Sequence, residues 1–355
     1  GRVPAMTIRY PRPLRAGDTI GVTAPSSGVP APLHRRLRHA VEVVRARGYD
    51  VRVGATATGE EIVSAPADVR AAELTTMVTD PAVRAVVPPW GGTLSIDLLG
   101  RLDWEALAAD PTWLVGFSDI SSLLLPLTLR TGVATLHGQN LMDTPYDVPD
   151  GLLGWWEVAA AEQSDAPGAA LVQRSPRRFR SSGWDDYAKY PEVSTWTLDA
   201  AGSWLRLDHG ADPEAPVDVT GRLIGGCVEM VGLLAGTPYG DVPRFAAEHA
   251  PEGLVVYLDV CEWRADDIGR AMWAMRHAGW FDAAHAVLVS RTHAPEIDGF
   301  TQHDAACDAL GDLGIPVLGD VECGHVPPYL ALVNGALARV QHGPDASVIT
   351  QRLVP

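Results

Sequence analysis

A serine stands where an apolar strand is predicted to meet an apolar helix. Ser118 lies between the strand-like segment 114–117 and the helical segment 120–129. In a nucleophile elbow, a side chain in this position stands above the carboxyl end of a sheet. The backbone N–H of Asp119 could then point at a developing oxyanion, assisted by the helix dipole. On this segment alone, a helix N-cap explains the serine equally simply.

Two glycines after another predicted strand offer a second possible oxyanion donor. Trp90, Gly91 and Gly92 follow the apolar segment 85–88. Glycine allows the backbone to approach another group closely and can leave an N–H group free. The Gly92 N–H is therefore a candidate donor, although a plain turn would produce the same pattern.

One histidine and two carboxylates could complete a catalytic triad. His325 follows a predicted strand and precedes two prolines that restrict its loop, so it is a candidate general base. Asp259 ends the apolar segment 254–258, where a carboxylate needs a partner and could orient a histidine. Glu262 is the alternative acid. A surface histidine, a helix cap or a salt bridge would be the ordinary structural explanation of these residues.

The elements around these residues are typical of an α/β protein. Strand-like and helical segments alternate in the first half, which predicts a parallel sheet covered on both faces. The weakly periodic segment 151–216 is predicted to be a connection that packs over a site or a partner domain. We therefore expect a nucleophile domain at 7–150, this linker, and a domain at 217–355 that carries the acid and His325.

Individual elements follow from hydrophobic periodicity and turn signals. Strands are predicted at 19–24, 49–53, 85–88, 114–117, 132–136, 220–226, 253–259, 286–289 and 316–319. Helices are predicted at 33–47, 66–78, 120–129, 228–234, 268–278 and 301–313.

Composition excludes several classes of protein. The net charge of −16 over 355 residues argues against a nucleic-acid partner, which requires a basic face. No apolar run is long enough for a membrane helix, and segment 1–6 lacks the apolar core of a signal peptide. We expect a native start at Met6 and a cytoplasmic location.

The cysteines show neither a disulfide framework nor a zinc motif, because none are spaced as Cys-x-x-Cys. We expect reduced, buried thiols, and no metal or cofactor. The four residues are Cys227, Cys261, Cys307 and Cys323.

Taken together, these segments resemble the LD-carboxypeptidase family, which includes the microcin C immunity peptidases. Several separate motifs occur in the family's order, and the segment 151–216 matches least. The motifs are Gly17–Ser26, Trp90–Gly92, Leu102-Asp103, Gly116–Ile120 with His137-Gly138, Gly221–Gly226, Tyr257–Asp259 through Arg270, and Cys323–His325.

The resemblance implies an α/β fold, with an N-terminal flavodoxin-like parallel-sheet domain and a smaller C-terminal α/β domain. The site would lie between the two domains, and the protein would be a homodimer. A Ser–Glu–His triad would place the nucleophile at Ser118 and the base at His325, with Gly92 and Asp119 as oxyanion donors. The position of the family's Glu falls on Asp259.

That departure leaves three outcomes open, because Asp is one methylene shorter than Glu. Asp259 could orient His325 normally, or Glu262 could reach in. Alternatively, the triad could be impaired, which would leave a ligand-binding relative or a slow enzyme.

The resemblance also implies two substrate classes. One is a muropeptide stem, cut between an L-centre diamino acid and a terminal D-Ala. The other is a peptidyl- or aminoacyl-nucleotide, whose base would stack on an aromatic side chain. Trp90, Trp184 and Tyr187 are the candidate binding residues, although aromatic residues in segment 151–216 could simply pack that segment. A different amidase or esterase activity remains a further alternative.

Overall fold

Five parallel strands form the first sheet of the computed structural model, which describes residues 5–355. Their order is β2-β1-β3-β4-β5, the flavodoxin-like order, in which ligands bind beyond the carboxyl ends of the strands. A sixth, antiparallel strand from residues 332–334 completes the edge beside β5. The strands are β1 (Thr19–Val22), β2 (Asp50–Val53), β3 (Val83–Val86), β4 (Trp113–Gly116) and β5 (Thr135–His137).

Helices connect these strands, and one of them is central to the core. The first nine residues of α4 are all buried, because the helix packs against the first sheet and the second at the same time. It ends where Gly132 adopts a left-handed φ of 72°. The helices are α1 (His34–Ala46), α2 (Ala67–Thr79), α3 (Trp104–Ala109), α4 (Ser121–Thr131) and α5 (Trp155–Ala159).

The second sheet has eight strands around a parallel centre. Its order is β6-β16-β15-β10-β11-β12-β13-β9, in which β10 to β13 are parallel. The strands of this sheet are β6 (Leu171–Arg174), β9 (Leu205–Arg206), β10 (Val217–Cys227), β11 (Leu254–Asp259), β12 (Ala284–Ser290), β13 (Val317–Val321), β15 (Leu337–His342) and β16 (Ser347–Arg352). The antiparallel strands β7 (Arg178–Phe179) and β8 (Ala200–Ala201) form a separate two-stranded sheet, and β14 (Leu332–Asn334) is the antiparallel edge strand of the first sheet. The helices are α6 (Val228–Val231), α7 (Val242–His249), α8 (Ala265–His277) and α9 (Gln302–Leu310).

Direct contacts lock the two sheets together. The Cys227 N–H at the end of β10 donates a hydrogen bond of 3.1 Å to Ser121 Oγ in the first turn of α4. The Tyr257 hydroxyl donates to Asn334 Oδ1 at 2.6 Å, and Asn334 Nδ2 donates to Thr135 Oγ1 at 3.0 Å. Because these groups are buried, their hydrogen bonds fix how the sheets sit against each other.

The predicted α/β class, with a parallel sheet in the first part and a second sheet in the last part, is confirmed. The segment 151–216 does more than connect, since β6 and β9 form the two edges of the second sheet. The second sheet consequently has more strands than the first. Helices α3, α5 and α7 and strands β14 to β16 had no counterpart among the predicted elements.

Two further expectations concern the membrane and the chain start. Across residues 5–355, none of the helices has both the length and the apolar character needed to cross a bilayer. The expectation for segment 1–6 lies largely outside the described residues.

Candidate active site

Ser118 occupies a sharp turn between β4 and α4. Its φ is 61°, a left-handed conformation that is uncommon for a residue other than glycine and that marks local strain. Asn140 holds the turn, because its Oδ1 accepts a hydrogen bond of 3.2 Å from the Phe117 N–H. A Cβ on Gly116 would lie 2.8 Å from that same oxygen, so only glycine fits there. The turn therefore has the geometry of a nucleophile elbow.

Asp119 ties the first turn after the serine to two neighbouring loops. Its buried carboxylate accepts hydrogen bonds from Ser26 Oγ at 2.5 Å and from the Ser95 N–H at 2.9 Å. Ser95 Oγ in turn donates to the Asp119 carbonyl at 2.7 Å. The side chain of Asp119 thus stabilises the turn by hydrogen bonds. The backbone N–H of Asp119 donates to no other residue in the described range 5–355.

The glycine pair after β3 lies directly against this turn. A Cβ on Gly91 would lie 3.0 Å from both Asp119 N and Ser118 Cβ. Gly92 has a φ of 147°, and a Cβ there would lie 2.4 Å from Ser26 Oγ. The predicted donor, Gly92, therefore adjoins the site, but Gly91 makes the closer contact with the serine.

His325 contacts one carboxylate of the two that were candidates. Its Nδ1 lies 2.9 Å from Asp259 Oδ1. The Asp259 side chain is fully buried, and that of His325 is 12% exposed. Glu262 is exposed, and its carboxylate forms no hydrogen bond with His325 within the part of the chain that is described. A Cβ on Gly324 would meet Asp259 Oδ1 at 2.7 Å, so this approach requires glycine before the histidine.

The protonation of His325 is set by opposing effects. Burial disfavours the charged imidazolium, but the negative charge of Asp259 and its hydrogen bond outweigh burial. The pKa of His325 therefore lies well above its usual 6.5. The neighbouring His137 differs, since burial and the charge of His325 lower its pKa to about 3.

Ser118 and His325 open onto one cavity of about 610 Å³. Because Ser118 follows β4 and His325 follows β13, the carboxyl edges of the two sheets meet at this cavity. The lining also includes Trp90, Gly91, Gly92, Phe117, Asn140, Met142, Asp143, Trp184, Asp185, Asp186 and Tyr187.

The aromatic candidates differ in how free they are to bind a ligand. Trp184 lines the cavity and is 58% exposed. Trp90 is half-buried, and its Nε1–H donates to the Gly28 carbonyl at 3.2 Å. Tyr187 is held in place, because its hydroxyl donates to Asp143 Oδ1 at 2.5 Å.

The remaining aromatic residues of segment 151–216 lie outside the cavity lining. Trp196 stacks on Tyr146 with ring centroids 3.4 Å apart, and Trp204 is buried and donates to Glu322. Tyr190 is exposed. Packing therefore explains Trp196 and Trp204, whereas it does not explain Trp184.

Some contributors were not singled out from the sequence. Asn140 and Asp143 line the cavity. Their only sequence signal is position, since each follows a predicted strand and the carboxyl ends of parallel strands share an edge.

Comparison with known proteins identifies the family. The model of the LD-carboxypeptidase N-terminal domain matches residues 20–138, and that of the C-terminal domain matches residues 220–340. Ser118 falls in the first match, and Asp259 and His325 fall in the second. A putative carboxypeptidase of Vibrio cholerae is 26% identical over 340 residues, covering 92% of this chain and 93% of the relative.

Solved structures share the fold over nearly the whole length. The microcin C7 self-immunity protein MccF in complex with aspartyl sulfamoyl adenosine has a TM-score of 0.77 at 20% identity, covering 97% of this chain and 99% of MccF. The muramoyltetrapeptide carboxypeptidase of Oxalobacter formigenes has a TM-score of 0.68 at 19% identity, covering 95% of this chain and 99% of that protein. The family resemblance seen in the motifs is confirmed: the chain belongs to the LD-carboxypeptidase family of serine peptidases.

Proposed function

We propose that the protein is a peptidase of the LD-carboxypeptidase type in which Ser118, His325 and Asp259 form the catalytic triad. The observation that carries this proposal is the 2.9 Å contact between His325 Nδ1 and Asp259 Oδ1, beside a cavity that Ser118 also lines. Glu262 has no part in the proposed triad. An orienting carboxylate in contact with His325 also argues against a relative that only binds ligands.

Asp259 would fix the tautomer of His325. By accepting the Nδ1 proton, it leaves Nε2 free to take the proton of Ser118 Oγ as the serine attacks a carbonyl carbon. The imidazolium formed in this step is stabilised by the adjacent carboxylate. The conditions that raise the pKa of His325 therefore also favour this intermediate.

The backbone would stabilise the oxyanion. We assign this role to the N–H groups of Gly92 and Asp119, the residues that follow Gly91 and Ser118, because Gly91 lies directly against Ser118 and Asp119 N. His325 then protonates the leaving amine, and water resolves the acyl-enzyme.

The proposed substrate is a muropeptide stem or a related small peptide. A cavity of about 610 Å³ is of the size that holds a ligand of a few residues. The muramoyltetrapeptide carboxypeptidase among the structural neighbours acts, by its name, on such a stem. The homodimer, the cytoplasmic location and the three-part division of the chain stay predictions.

An aminoacyl- or peptidyl-nucleotide is the second candidate substrate. The exposed ring of Trp184 on the cavity wall favours it, because an aromatic face can stack on a nucleobase. MccF binds a ligand of this kind in the structure with aspartyl sulfamoyl adenosine. Here the cleaved bond would be the link to the nucleotide.

Replacing Ser118 with alanine tests the nucleophile. We expect Ser118→Ala to lower kcat on a tetrapeptide stem by on the order of 10⁶-fold, because the acyl-enzyme cannot form. The control is Ser27→Ala, which removes another hydroxyl that lines the cavity and which should retain activity. Steady-state assays together with circular dichroism would separate lost chemistry from lost folding. Substantial turnover by folded Ser118→Ala would contradict the assignment.

The pH dependence tests the role of Asp259. Since His325 must be neutral to act as a base, kcat/KM should rise with pH through a transition above pH 6.5. Asp259→Asn should move that transition to lower pH and reduce kcat by about 10⁴-fold. Glu262→Gln is the matched control and should leave the profile unchanged. A pH profile that shifts with Glu262→Gln and not with Asp259→Asn would show that Glu262, and not Asp259, is the acid of the triad.

The two substrate classes can be separated with one residue of the cavity. Trp184→Ala should weaken activity on an aminoacyl sulfamoyl adenosine by roughly 5- to 150-fold, equivalent to about 1–3 kcal/mol of stacking. Activity on a tetrapeptide stem should change little. Tyr190→Ala serves as the control, because Tyr190 is similarly exposed at 53% but lies outside the cavity lining. Equal losses for both variants would remove the case for stacking.

A further inference from the structure

Three potential metal ligands converge beside His325. Cys227 ends β10 and Asp259 ends β11, and the two residues are paired in the register of these parallel strands. Cys227 Sγ, a carboxylate oxygen of Asp259 and a ring nitrogen of His325 all lie within 4.8 Å of one another. Both Cys227 and Asp259 are fully buried. The sulfur therefore lies next to the proposed catalytic pair without any role in its chemistry.

The cluster contains an acceptor that lacks a partner. Asp259 Oδ2 is buried and accepts no hydrogen bond from residues 5–355. An unsatisfied carboxylate oxygen in the interior costs free energy, which a cation would offset. The cluster thus offers a free ligand atom to a positive ion.

A second carboxylate, that of Glu229, lies near Cys227. Cys227 Sγ lies 3.6 Å from Glu229 Oε1, and the Glu229 carboxylate accepts hydrogen bonds from the backbone N–H groups of Cys261, Glu262 and Trp263. Carboxylates therefore lie close to Cys227 on two sides, and among residues 5–355 the only cationic group in contact with Asp259 is His325. Such a field attracts a divalent cation.

A second, smaller pocket reaches one member of the cluster, His325. It has a volume of about 260 Å³ and is lined by Cys261, Glu262 and His325, among others. Cys261 is half-buried and lines this pocket together with His325. An ion could therefore reach His325 through this pocket.

We propose that Cys227, Asp259 and His325 form a binding site for a thiophilic divalent cation, with Zn²⁺ as the best match, whose occupancy inhibits the enzyme. Sulfur, nitrogen and oxygen ligands together suit Zn²⁺. In a tetrahedral site these atoms stand about 3.3–3.6 Å apart, so a shift of about 1 Å would close the site around the ion. Binding releases the thiol proton of Cys227 and, where the ring is protonated, one proton of His325, because both ligands must be deprotonated to bind the ion.

Inhibition follows from the shared residues. A metal-bound His325 can no longer take a proton from Ser118, and a metal-bound Asp259 no longer orients the ring. This consequence rests on the proposed triad, whereas the binding site itself does not. Ser118→Ala should therefore be inactive but still bind the ion, which keeps the two proposals distinguishable.

Direct binding is tested with Co²⁺ as a spectroscopic substitute for Zn²⁺. Added to the metal-free protein, Co²⁺ should produce a thiolate-to-cobalt charge-transfer absorption that Zn²⁺ abolishes by displacement. The absorption should disappear in Cys227→Ser and persist in Cys307→Ser, whose thiol lies on α9 outside the cluster. An identical spectrum in wild type and Cys227→Ser would overturn the proposal, as would the absence of any thiolate band in wild type.

The same variants test inhibition. In buffered free Zn²⁺, wild type and Cys307→Ser should be inhibited. Cys227→Ser should keep its basal activity but require a higher Zn²⁺ concentration for half-maximal inhibition. Loss of a group that only supports a metal ligand lowers metal affinity roughly 10- to 100-fold, and we expect a larger change here because a ligand itself is lost. Equal inhibition of Cys227→Ser and wild type would show that Zn²⁺ acts through His325 alone and would contradict the proposed ligand set. If Cys227→Ser fails to fold, the absence of a thiolate band in wild type would still overturn the proposal.

Discussion

The hydrogen bond between Asp259 and His325 is the interaction on which the arrangement of this protein depends. A carboxylate that is fully buried must be paired, because an isolated charge in the interior is costly. Its only hydrogen-bond contact within residues 5–355 is His325, which a loop brings back from the end of β13. Gly324 permits this approach, since a Cβ would meet both Asp259 and Ser290. The absence of a side chain at Gly324 therefore allows the His325 ring to reach the Asp259 carboxylate.

The second constraint is that two parallel sheets present their carboxyl edges to one cavity. The first sheet supplies the strained turn at Ser118, and the second supplies Asp259 and His325. Helix α4 makes this possible, because its first turn begins beyond Ser118 and packs directly on the end of β10. The position of the serine relative to the second sheet is thus set by a buried helix rather than by flexible loops. That rigidity is what a site with reacting groups from two sheets requires.

How far the sequence predicts this structure depends on the signal available at each residue. The strand-to-helix turn at Ser118 was predictable from the apolar segments that flank it, whereas the role of nucleophile was implied only by the resemblance of the whole set of motifs. The choice between Asp259 and Glu262 was not, since spacing does not reveal which carboxylate is buried against the histidine. Strands β14 to β16 escaped prediction because they are short antiparallel strands without a helix between them. Cys227 showed no metal motif, because its potential co-ligands come from other elements and not from nearby positions in the chain.

The central claim is that Ser118 is a nucleophile activated by His325. The most direct measurement is to treat the folded protein with a fluorophosphonate, which reacts with activated serines, and to locate the adduct by peptide mass spectrometry. The account predicts a single adduct on Ser118, formed much more slowly when His325 is replaced by alanine. An adduct on a different serine, or labelling of Ser118 at the same rate without His325, would contradict it.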